Sequence, residues 1–156
     1  MQAIMAMANN RCIGKDGKLP WPSIKEDFKW FKEFTLHKHI VVGRTTNNLL
    51  PMLPNRTVWV LSRTEKESAG CLISPSESTM YHYTSNINQI PNDAIIIGGR
   101  TIYSVFMPQI TEFYVTLIDK PYDGDTYMFP FEHLFGKQEV IREFEGAKVI
   151  KYYDKK

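Results

Sequence analysis

One acidic residue stands where an apolar residue is expected. A helix is predicted to begin near Ile24, and at about 3.6 residues per turn Asp27 falls near the middle of its apolar side. A carboxylate turned inward needs hydrogen-bond donors, a cationic partner or a proton. Two interpretations stay open: a structural Asp held by backbone or hydroxyl donors, and a carboxylate that receives a cationic or NH-rich ligand. The apolar side spans an arc of roughly 160° and consists of Ile24, Phe28, Trp30, Phe31, Phe34 and Thr35.

The helix that carries Asp27 has its own start signal and a charged outer side. Ser23 and Glu26 have the S-x-x-E spacing of a capping box, which places the helix start near Ile24. Phe28 and Phe31 flank the carboxylate and could stack on a flat heterocycle. An aromatic stripe at helical spacing is more often core, and the local sequence favours that interpretation. The outer side carries Lys25, Glu26, Lys29, Lys32 and Glu33.

Two predicted strands end in features that suit phosphate binding. Gly43-Arg44-Thr45-Thr46 follows the strand at 40–42 and opens a short helix, and Gly98-Gly99 follows the apolar run at 95–97. Helix starts at the carboxyl ends of parallel strands attract anions, and glycine lets a phosphate approach the backbone. Neither is a full G-x-G-x-x-G, so each is weak alone. Together they favour a dinucleotide ligand.

Arg63 adds a third candidate for an anion. Ser62-Arg63-Thr64 comes directly after the strand predicted at 58–61. A guanidinium binds a phosphate monoester through two hydrogen bonds, as on the ribose of NADP. A solvated loop arginine is the alternative, and the local sequence favours it.

The elements that must position these residues alternate between apolar runs and helical segments. Continuous Val/Ile runs separated by helices predict a sheet covered on both faces, and residues 139–144 and 148–153 flank a hairpin turn at Glu145-Gly146. We expect an α/β protein: a doubly wound, mostly parallel central sheet with helices on both faces and a C-terminal antiparallel hairpin, in one domain over residues 1–156. The other predicted strands are 3–8, 40–42, 58–61, 94–97 and 113–118.

Composition excludes several classes of function. The 19 Lys+Arg and 17 Asp+Glu give a net charge of +2, and no basic block indicates a nucleic-acid partner. Cys12 and Cys71 stand singly, so neither a disulfide framework nor a metal site is predicted, and His37 and His39 are interpreted as solvated loop residues. The start at Met1-Gln2-Ala3-Ile4 is interpreted as a strand rather than a signal peptide. We therefore expect a cytoplasmic protein, a monomer by default, with no membrane partner.

A series of short segments recurs in the order and spacing of one enzyme family. The chain resembles dihydrofolate reductases along nearly its whole length, and the shared order is more specific than any single segment. The matching segments are Asn10-Arg11-Cys12-Ile13-Gly14, Gly17-Lys18-Leu19-Pro20-Trp21, Asp27 with Phe28 and Phe31, Val42-Gly43-Arg44-Thr45-Thr46, Leu53-Pro54-Asn55-Arg56, Leu61-Ser62-Arg63, Ile97-Gly98-Gly99 with Ile102-Tyr103, Tyr114-Val115-Thr116, and Gly124-Asp125-Thr126 followed by Phe129-Pro130.

The resemblance implies a pterin site around three catalytic residues. Asp27 would bind the 2-amino group and ring nitrogen of the pterin, Thr116 would support Asp27 through its hydroxyl, and Trp21 would help hold a water nearby. Plain packing is the alternative for Thr116 and Trp21. Arg56 would bind the carboxylate of the glutamate tail. The remaining substrate contacts implied are Ile4, Met5, Ala6, Phe28, Phe31, Leu50, Leu53, Ile97 and Tyr103.

The resemblance also implies NADPH as cofactor. Arg44, Ser62 and Arg63 would hold its 2′-phosphate, Gly98-Gly99 would be joined by a cis peptide, and residues 9–21 would form a mobile loop that closes over the nicotinamide. Asn47 and Leu49 depart from the family's pattern, which leaves the packing of the short helix after Gly43 open. The other cofactor contacts implied are Ala6, Ile13, Gly14, Gly17, Leu19, Gly43, Thr45, Thr46, Leu61, Ile97, Gly98, Gly99, Arg100, Thr101, Ile102, Tyr103 and Thr126.

The implied reaction is hydride transfer from nicotinamide C4 to C6 of dihydropterin, with a proton delivered to N5 from water near Asp27. Antifolates such as methotrexate or trimethoprim are possible ligands. Two alternatives stay open: a reductase of ribosylated aminopyrimidines, which would not need Trp21, Asp27 and Arg56 together, and a non-catalytic protein that binds nucleotide or folate.

Overall fold

The computed structural model describes residues 1–48, 50, 53–62, 68–73 and 78–156, with only the backbone of 68–73 and 78. Its helices are α1 (Lys25–Thr35), α2 (Arg44–Asn47) and α3 (Arg100–Phe106), with 3₁₀ turns at Ile87–Gln89, Met107–Gln109 and Glu132–Leu134. The strands are β1 (Gln2–Ala8), β2 (Cys12–Gly14), β3 (His39–Gly43), β4 (Arg56–Leu61), β5 (Ser68–Ile73), β6 (Ser78–Thr84), β7 (Ile95–Ile96), β8 (Glu112–Ile118), β9 (Thr126–Tyr127), β10 (Phe135–Phe144) and β11 (Ala147–Lys155).

The strands form one large sheet and a small ribbon. Within the described residues, nine strands are ordered β10-β11-β8-β1-β7-β3-β4-β6-β5, and β2 pairs with β9 apart from them. Neighbours from β8 to β6 are parallel, whereas β10, β11 and β5 join antiparallel. The prediction of a doubly wound, mostly parallel α/β sheet with a C-terminal antiparallel hairpin is confirmed.

Each face of the sheet has its own core, because side chains alternate along the strands. Ile4 of β1 packs with Trp30 of α1 on one face. Its neighbours Ala3 and Met5 pack on the other face with residues of α3, including Phe106. The two-sided core explains why the central strands are continuously apolar.

The predicted capping box does not form. Helix α1 begins at Lys25 with Ile24 as its extended N-cap, and no side chain caps it. Because the helix starts one residue later than the S-x-x-E spacing requires, Ser23 lies outside it and the third helical residue is Asp27. The helix start is instead supported by two acidic residues in its first turn, Glu26 and Asp27, which favour the positive end of the helix dipole.

Two other local predictions also differ from the structure. The antiparallel hairpin of β5 and β6 was not predicted. His39 is the first residue of β3 rather than a loop residue, and its Nδ1 accepts a hydrogen bond from Trp59 Nε1 at 3.0 Å. His37 is exposed, as expected of a solvated residue.

Lys155 closes the C-terminal end of the α3 region, and its loss should cost stability. Its Nζ donates to Met107 O at 2.6 Å and to Ile110 O at 2.7 Å. We expect Lys155→Met to lower the free energy of unfolding by about 1–2 kcal/mol, because two helix-end carbonyls lose a cationic donor. Urea denaturation should show a lower midpoint at unchanged slope. Lys156→Met is the control, since Lys156 is exposed; equal midpoints for the two variants would contradict the assignment.

Candidate active site

The sheet opens between β1 and β7. These strands pair only at Gln2 with Ile95 and Ala3 with Ile96, whereas β1 pairs with β8 over its whole length. Ala6 lies in the half of β1 that does not pair with β7, and it is half-buried although its strand is central. The chain leaves β1 toward β3 and leaves β7 toward β8 on the other side, so this is the point where the winding direction reverses. Ligands of doubly wound folds bind at such a crevice.

Asp27 reaches this crevice from α1 and meets β8. Thr116 Oγ1 donates to Asp27 Oδ1 at 2.6 Å, and Thr116 is the residue paired with Ala6. Thr116 is buried and Asp27 is half-buried. Burial raises the pKa of the Asp27 carboxyl, while the Thr116 hydrogen bond lowers it by a smaller amount. Among the described residues the carboxylate accepts one hydrogen bond, and its second oxygen can receive donors from a ligand.

Aromatic and aliphatic side chains lie beside the carboxylate. Phe28 is 43% exposed and Phe31 is half-buried, so the favoured interpretation of Phe28 as a core residue is wrong. Lys32 Nζ lies 5.3 Å from the Phe28 ring centroid. Leu53 is buried and Leu50 is half-buried, and both belong to the same apolar cluster as Phe31. An exposed ring next to a carboxylate can stack on a planar heterocycle that the carboxylate also binds.

Trp21 is packed as a core residue. It is 6% exposed and meets Tyr122 edge to face, with ring centroids 5.9 Å apart. Ala8, Cys12 and Ile118 belong to the same buried cluster. The packing fixes the end of the loop at residues 9–21, and the role of Trp21 in holding a water near Asp27 stays a prediction.

Arg56 carries a buried positive charge at the other end of α1. Its Nε donates to Thr35 Oγ1 at 3.1 Å, its Nη2 to Lys32 O at 2.6 Å, and its Nη1 to Pro54 O. The residue is 5% exposed, and desolvation lowers its pKa. All three acceptors are neutral, and no acidic side chain pairs with it in the described part of the chain. Two of the five N–H groups remain for an anion.

The cofactor candidates cluster where β3 and β7 end. The Gly98-Gly99 peptide is cis, as the resemblance implied, and Gly43 N donates to Gly98 O at 2.8 Å. A Cβ on Gly98 would lie 3.2 Å from Tyr103 Oη, and one on Gly99 3.1 Å from Thr46 Oγ1. Any side chain at these glycines would crowd its neighbours. Gly98 is buried and Gly99 is half-buried, so Gly99 is the one that can contact a ligand. Tyr103 is itself fixed, because its hydroxyl donates to Ile4 O at 2.6 Å.

The predicted 2′-phosphate residues lie on adjacent strand ends. Gly43 pairs with Leu61, which brings Arg44 and Ser62 to the same edge of the sheet. Arg44 is exposed and Ser62 is half-buried. Arg63 and Leu49 lie outside the described residues. The other members of the predicted cofactor set are exposed or half-buried, except for the buried Ile102: they are Ile13, Gly14, Gly17, Leu19, Thr45, Ile97, Arg100, Thr101 and Thr126.

The loop at residues 9–21 is tied to the segment around Asp125. Asp125 N donates to Gly14 O at 3.0 Å, and Asp16 N donates to Asp125 Oδ2 at 2.8 Å. The bond from Asp16 N contributes most to the lowered pKa of Asp125. Gly124 permits this approach, since a Cβ there would lie 2.3 Å from Gly14 O. Sequence reasoning matched Asp125 to a motif but gave it no role; its position directly after Gly124 was the available signal.

Comparisons with known proteins agree on one family. The dihydrofolate reductase family profile matches residues 1–148. Dihydrofolate reductase type 8 of Escherichia coli is 33% identical over 154 residues, covering 93% of this chain and 85% of that protein. Type 3 of Salmonella typhimurium is 35% identical over 146 residues, covering 92% and 86%. Dihydrofolate reductase from Enterococcus faecalis, solved with NADP(H) and RAB-propyl, has a TM-score of 0.71 and 25% identity, covering 99% of this chain and 95% of that one.

Proposed function

This chain belongs to the dihydrofolate reductase family and reduces dihydrofolate with NADPH, and from that premise we propose that Asp27 is the residue that binds and polarises the pterin. The observation that supports this most directly is the half-buried carboxylate, bonded to Thr116 and placed beside an exposed phenylalanine in the opening of the sheet. Its charge favours protonated pterin, and its free oxygen accepts from the 2-amino group and ring nitrogen. Thr116 holds the carboxyl plane, and Trp21 holds the water that brings the proton to N5.

The residues around the pterin set its orientation. Phe28 and Phe31 cover one side of the ring system, and Leu50 and Leu53 cover the benzoyl group. Arg56 takes the carboxylate of the glutamate tail with its two remaining N–H groups. Ala6 leaves room for the nicotinamide, because a larger side chain at this half-buried position would fill the opening. Such fixation places the reacting carbons within a short distance of each other.

NADPH, when bound, supplies the hydride from nicotinamide C4. The surface that receives the cofactor pyrophosphate consists of Gly43, Thr46, Gly98 and Gly99. The 2′-phosphate binds to Arg44 and Ser62. The loop at 9–21 covers the nicotinamide and excludes water. The donors of this edge and the half-buried Gly43 and Gly99 suit a phosphorylated dinucleotide, and Arg63 binds the 2′-phosphate together with Arg44 and Ser62.

We expect rapid loss of NADPH absorbance when dihydrofolate is added to the folded protein, and methotrexate should abolish it. NADH at equal concentration should react at least about tenfold more slowly, because NADH lacks the 2′-phosphate that Arg44 binds. Arg44→Ala should reduce the difference between the reaction rates with NADPH and with NADH. Equal rates with NADPH and NADH would contradict the phosphate assignment, and oxidation that methotrexate does not affect would contradict the folate site.

In the described ranges no helix is long and apolar enough to cross a membrane. We infer a single domain over residues 1–156, supported by the sheet that contains both the first and last strands. We also infer a location in the cytoplasm, supported by the buried free thiol of Cys12, which suits a reducing compartment. We propose a monomer as the default oligomeric state. Light scattering on the purified protein tests the monomer; a dimer mass at micromolar concentration would overturn it.

A further inference from the structure

Residues 127–129 are held from two sides by arginines that come from distant parts of the chain. Arg11, next to β2, donates from Nε to Met128 O at 3.0 Å and from Nη2 to Phe129 O at 2.7 Å. Met128 N in turn donates to Arg11 O at 2.8 Å. The segment is therefore joined to the start of the loop at 9–21 by three hydrogen bonds.

Arg11 is itself well anchored. Its Nη1 lies 2.9 Å from a Glu132 carboxylate oxygen, and its guanidinium lies 5.4 Å from the Phe131 ring centroid. Phe131 is fully buried. The loop side of the segment thus has little freedom to shift.

Arg100 holds the same segment from the cofactor edge, which is the region around Gly43 and Gly98-Gly99 where β3 and β7 end. It follows the cis Gly98-Gly99 peptide, donates from Nε to Tyr127 O at 2.9 Å, and lies 5.5 Å from the Phe129 ring centroid. The side chain is exposed, and the contacts described use one of its five N–H donors. Its position lets one guanidinium touch both the segment and a ligand on the cofactor edge.

We propose that Arg100 is a positioning residue that joins the cofactor edge to the loop at residues 9–21 through residues 127–129. This inference rests on the proposed cofactor site. Arg100 fixes Tyr127 and Phe129, Tyr127 lies in β9, and β9 pairs with β2 of the loop. The remaining N–H groups of Arg100 donate to a cofactor phosphate, so cofactor binding immobilises the guanidinium and steadies the loop over the reacting atoms. The planar guanidinium presents five donors in a fixed geometry, so it can hold the segment and a phosphate in a defined orientation, whereas a flexible ammonium has three donors and no fixed orientation.

The test compares Arg100→Met and Arg100→Lys with Arg142→Met as a matched control. Arg142 also lies over an aromatic ring, 4.8 Å from the Trp30 centroid, but it stands on β10 at the far edge of the sheet. In ligand-free protein, Arg100→Met should speed hydrogen exchange of the Met128 and Asp125 amides about five- to tenfold. NADPH should bind about tenfold more weakly, and hydride transfer in a single turnover at saturating ligands should slow about fivefold or more.

Arg100→Lys separates positioning from simple charge. It should restore NADPH affinity but neither the amide protection nor the single-turnover rate. Phe129→Leu should reproduce part of the rate loss, and its combination with Arg100→Met should be less than additive, because both act through one contact. Arg142→Met should leave all three readouts unchanged.

Two outcomes would overturn the inference: unchanged amide exchange and hydride transfer in Arg100→Met, or full restoration of both by lysine. A failure of the proposed function is distinguishable, because the wild-type protein itself would then not oxidise NADPH with dihydrofolate. The exchange experiment needs no cofactor and reports on the contact either way.

Discussion

Asp27→Asn should lower kcat/KM for dihydrofolate by about 10²-fold or more at neutral pH. Asparagine keeps an oxygen that accepts the Thr116 hydrogen bond seen at 2.6 Å, so the geometry of the site is retained while the charge is lost. Without that charge the bound pterin is no longer readily protonated. The variant therefore depends on substrate that is already protonated in solution. Steady-state kinetics across pH measures the effect: the rate of the variant should rise as pH falls. Near-normal turnover at pH 7 would remove Asp27 from the mechanism.

The same substitution should stabilise the ligand-free protein at neutral pH. Burial raises the pKa of Asp27, so the folded state binds this proton more tightly than the unfolded state does. The stability that the group contributes is therefore complete below its unfolded pKa and is lost as pH rises through the folded pKa. Above that range the wild-type protein carries a partly desolvated charge that asparagine lacks. Scanning calorimetry should show a higher Tm for Asp27→Asn at pH 7, with the difference shrinking toward acidic pH.

Thr116→Val provides the matched control for the pH behaviour. The Thr116 hydrogen bond lowers the pKa of Asp27, so its removal should move the pKa further upward while the carboxylate remains. The pH profile of kcat/KM should shift to higher pH, in contrast to Asp27→Asn, where this ionisation disappears. An unshifted profile would mean that the hydroxyl has no influence on the carboxyl in the working enzyme.

Local periodicity was sufficient to place Asp27 but not its partner. Helical spacing alone turned the carboxylate inward, because the positions of neighbouring side chains depend only on the helix. Thr116 lies 89 residues away along the chain, and only the family resemblance joined the two. The role of Phe28 was misjudged for a related reason: the apolar arc was wider than the face that the sheet covers, and Trp30 and Thr35 are the residues of α1 that are buried.

The rest of the fold followed the same division. Continuous apolar runs predicted the parallel centre of the sheet, since strands covered on both faces need apolar residues at every position. The hairpin of β5 and β6 lies at the edge of the sheet and has no such requirement, so its strands lack the long apolar run that would have predicted them. The contacts of Arg11, Arg100 and Asp125 escaped prediction because each joins segments more than 20 residues apart.

Arg56 is the second residue whose replacement should have a large effect. Its buried guanidinium bonds only to neutral oxygens of Thr35, Lys32 and Pro54 among the described residues, so the charge itself has no partner until an anion binds. An arginine held by three hydrogen bonds loses little freedom when a carboxylate takes its remaining two donors. This preorganisation argues for a strong and directional contact with the glutamate tail.

We expect Arg56→Met to raise KM for dihydrofolate by about 10²-fold with a smaller change in kcat, because the tail lies away from the reacting carbons. Arg56→Lys should recover only part of the loss, since one ammonium cannot bind both carboxylate oxygens and also replace the bonds to Thr35 and Lys32. The decisive control is a 6-methyl dihydropterin, which has no glutamate tail: its kcat/KM should be nearly the same for wild type and Arg56→Met. A parallel loss with this short substrate would show that Arg56 supports the fold of α1 and β4 rather than the tail. Equal KM values with dihydrofolate would place the carboxylate contact elsewhere.

Because the comparison uses the same variant with two substrates, any general loss of stability affects both measurements, and only binding of the tail separates them.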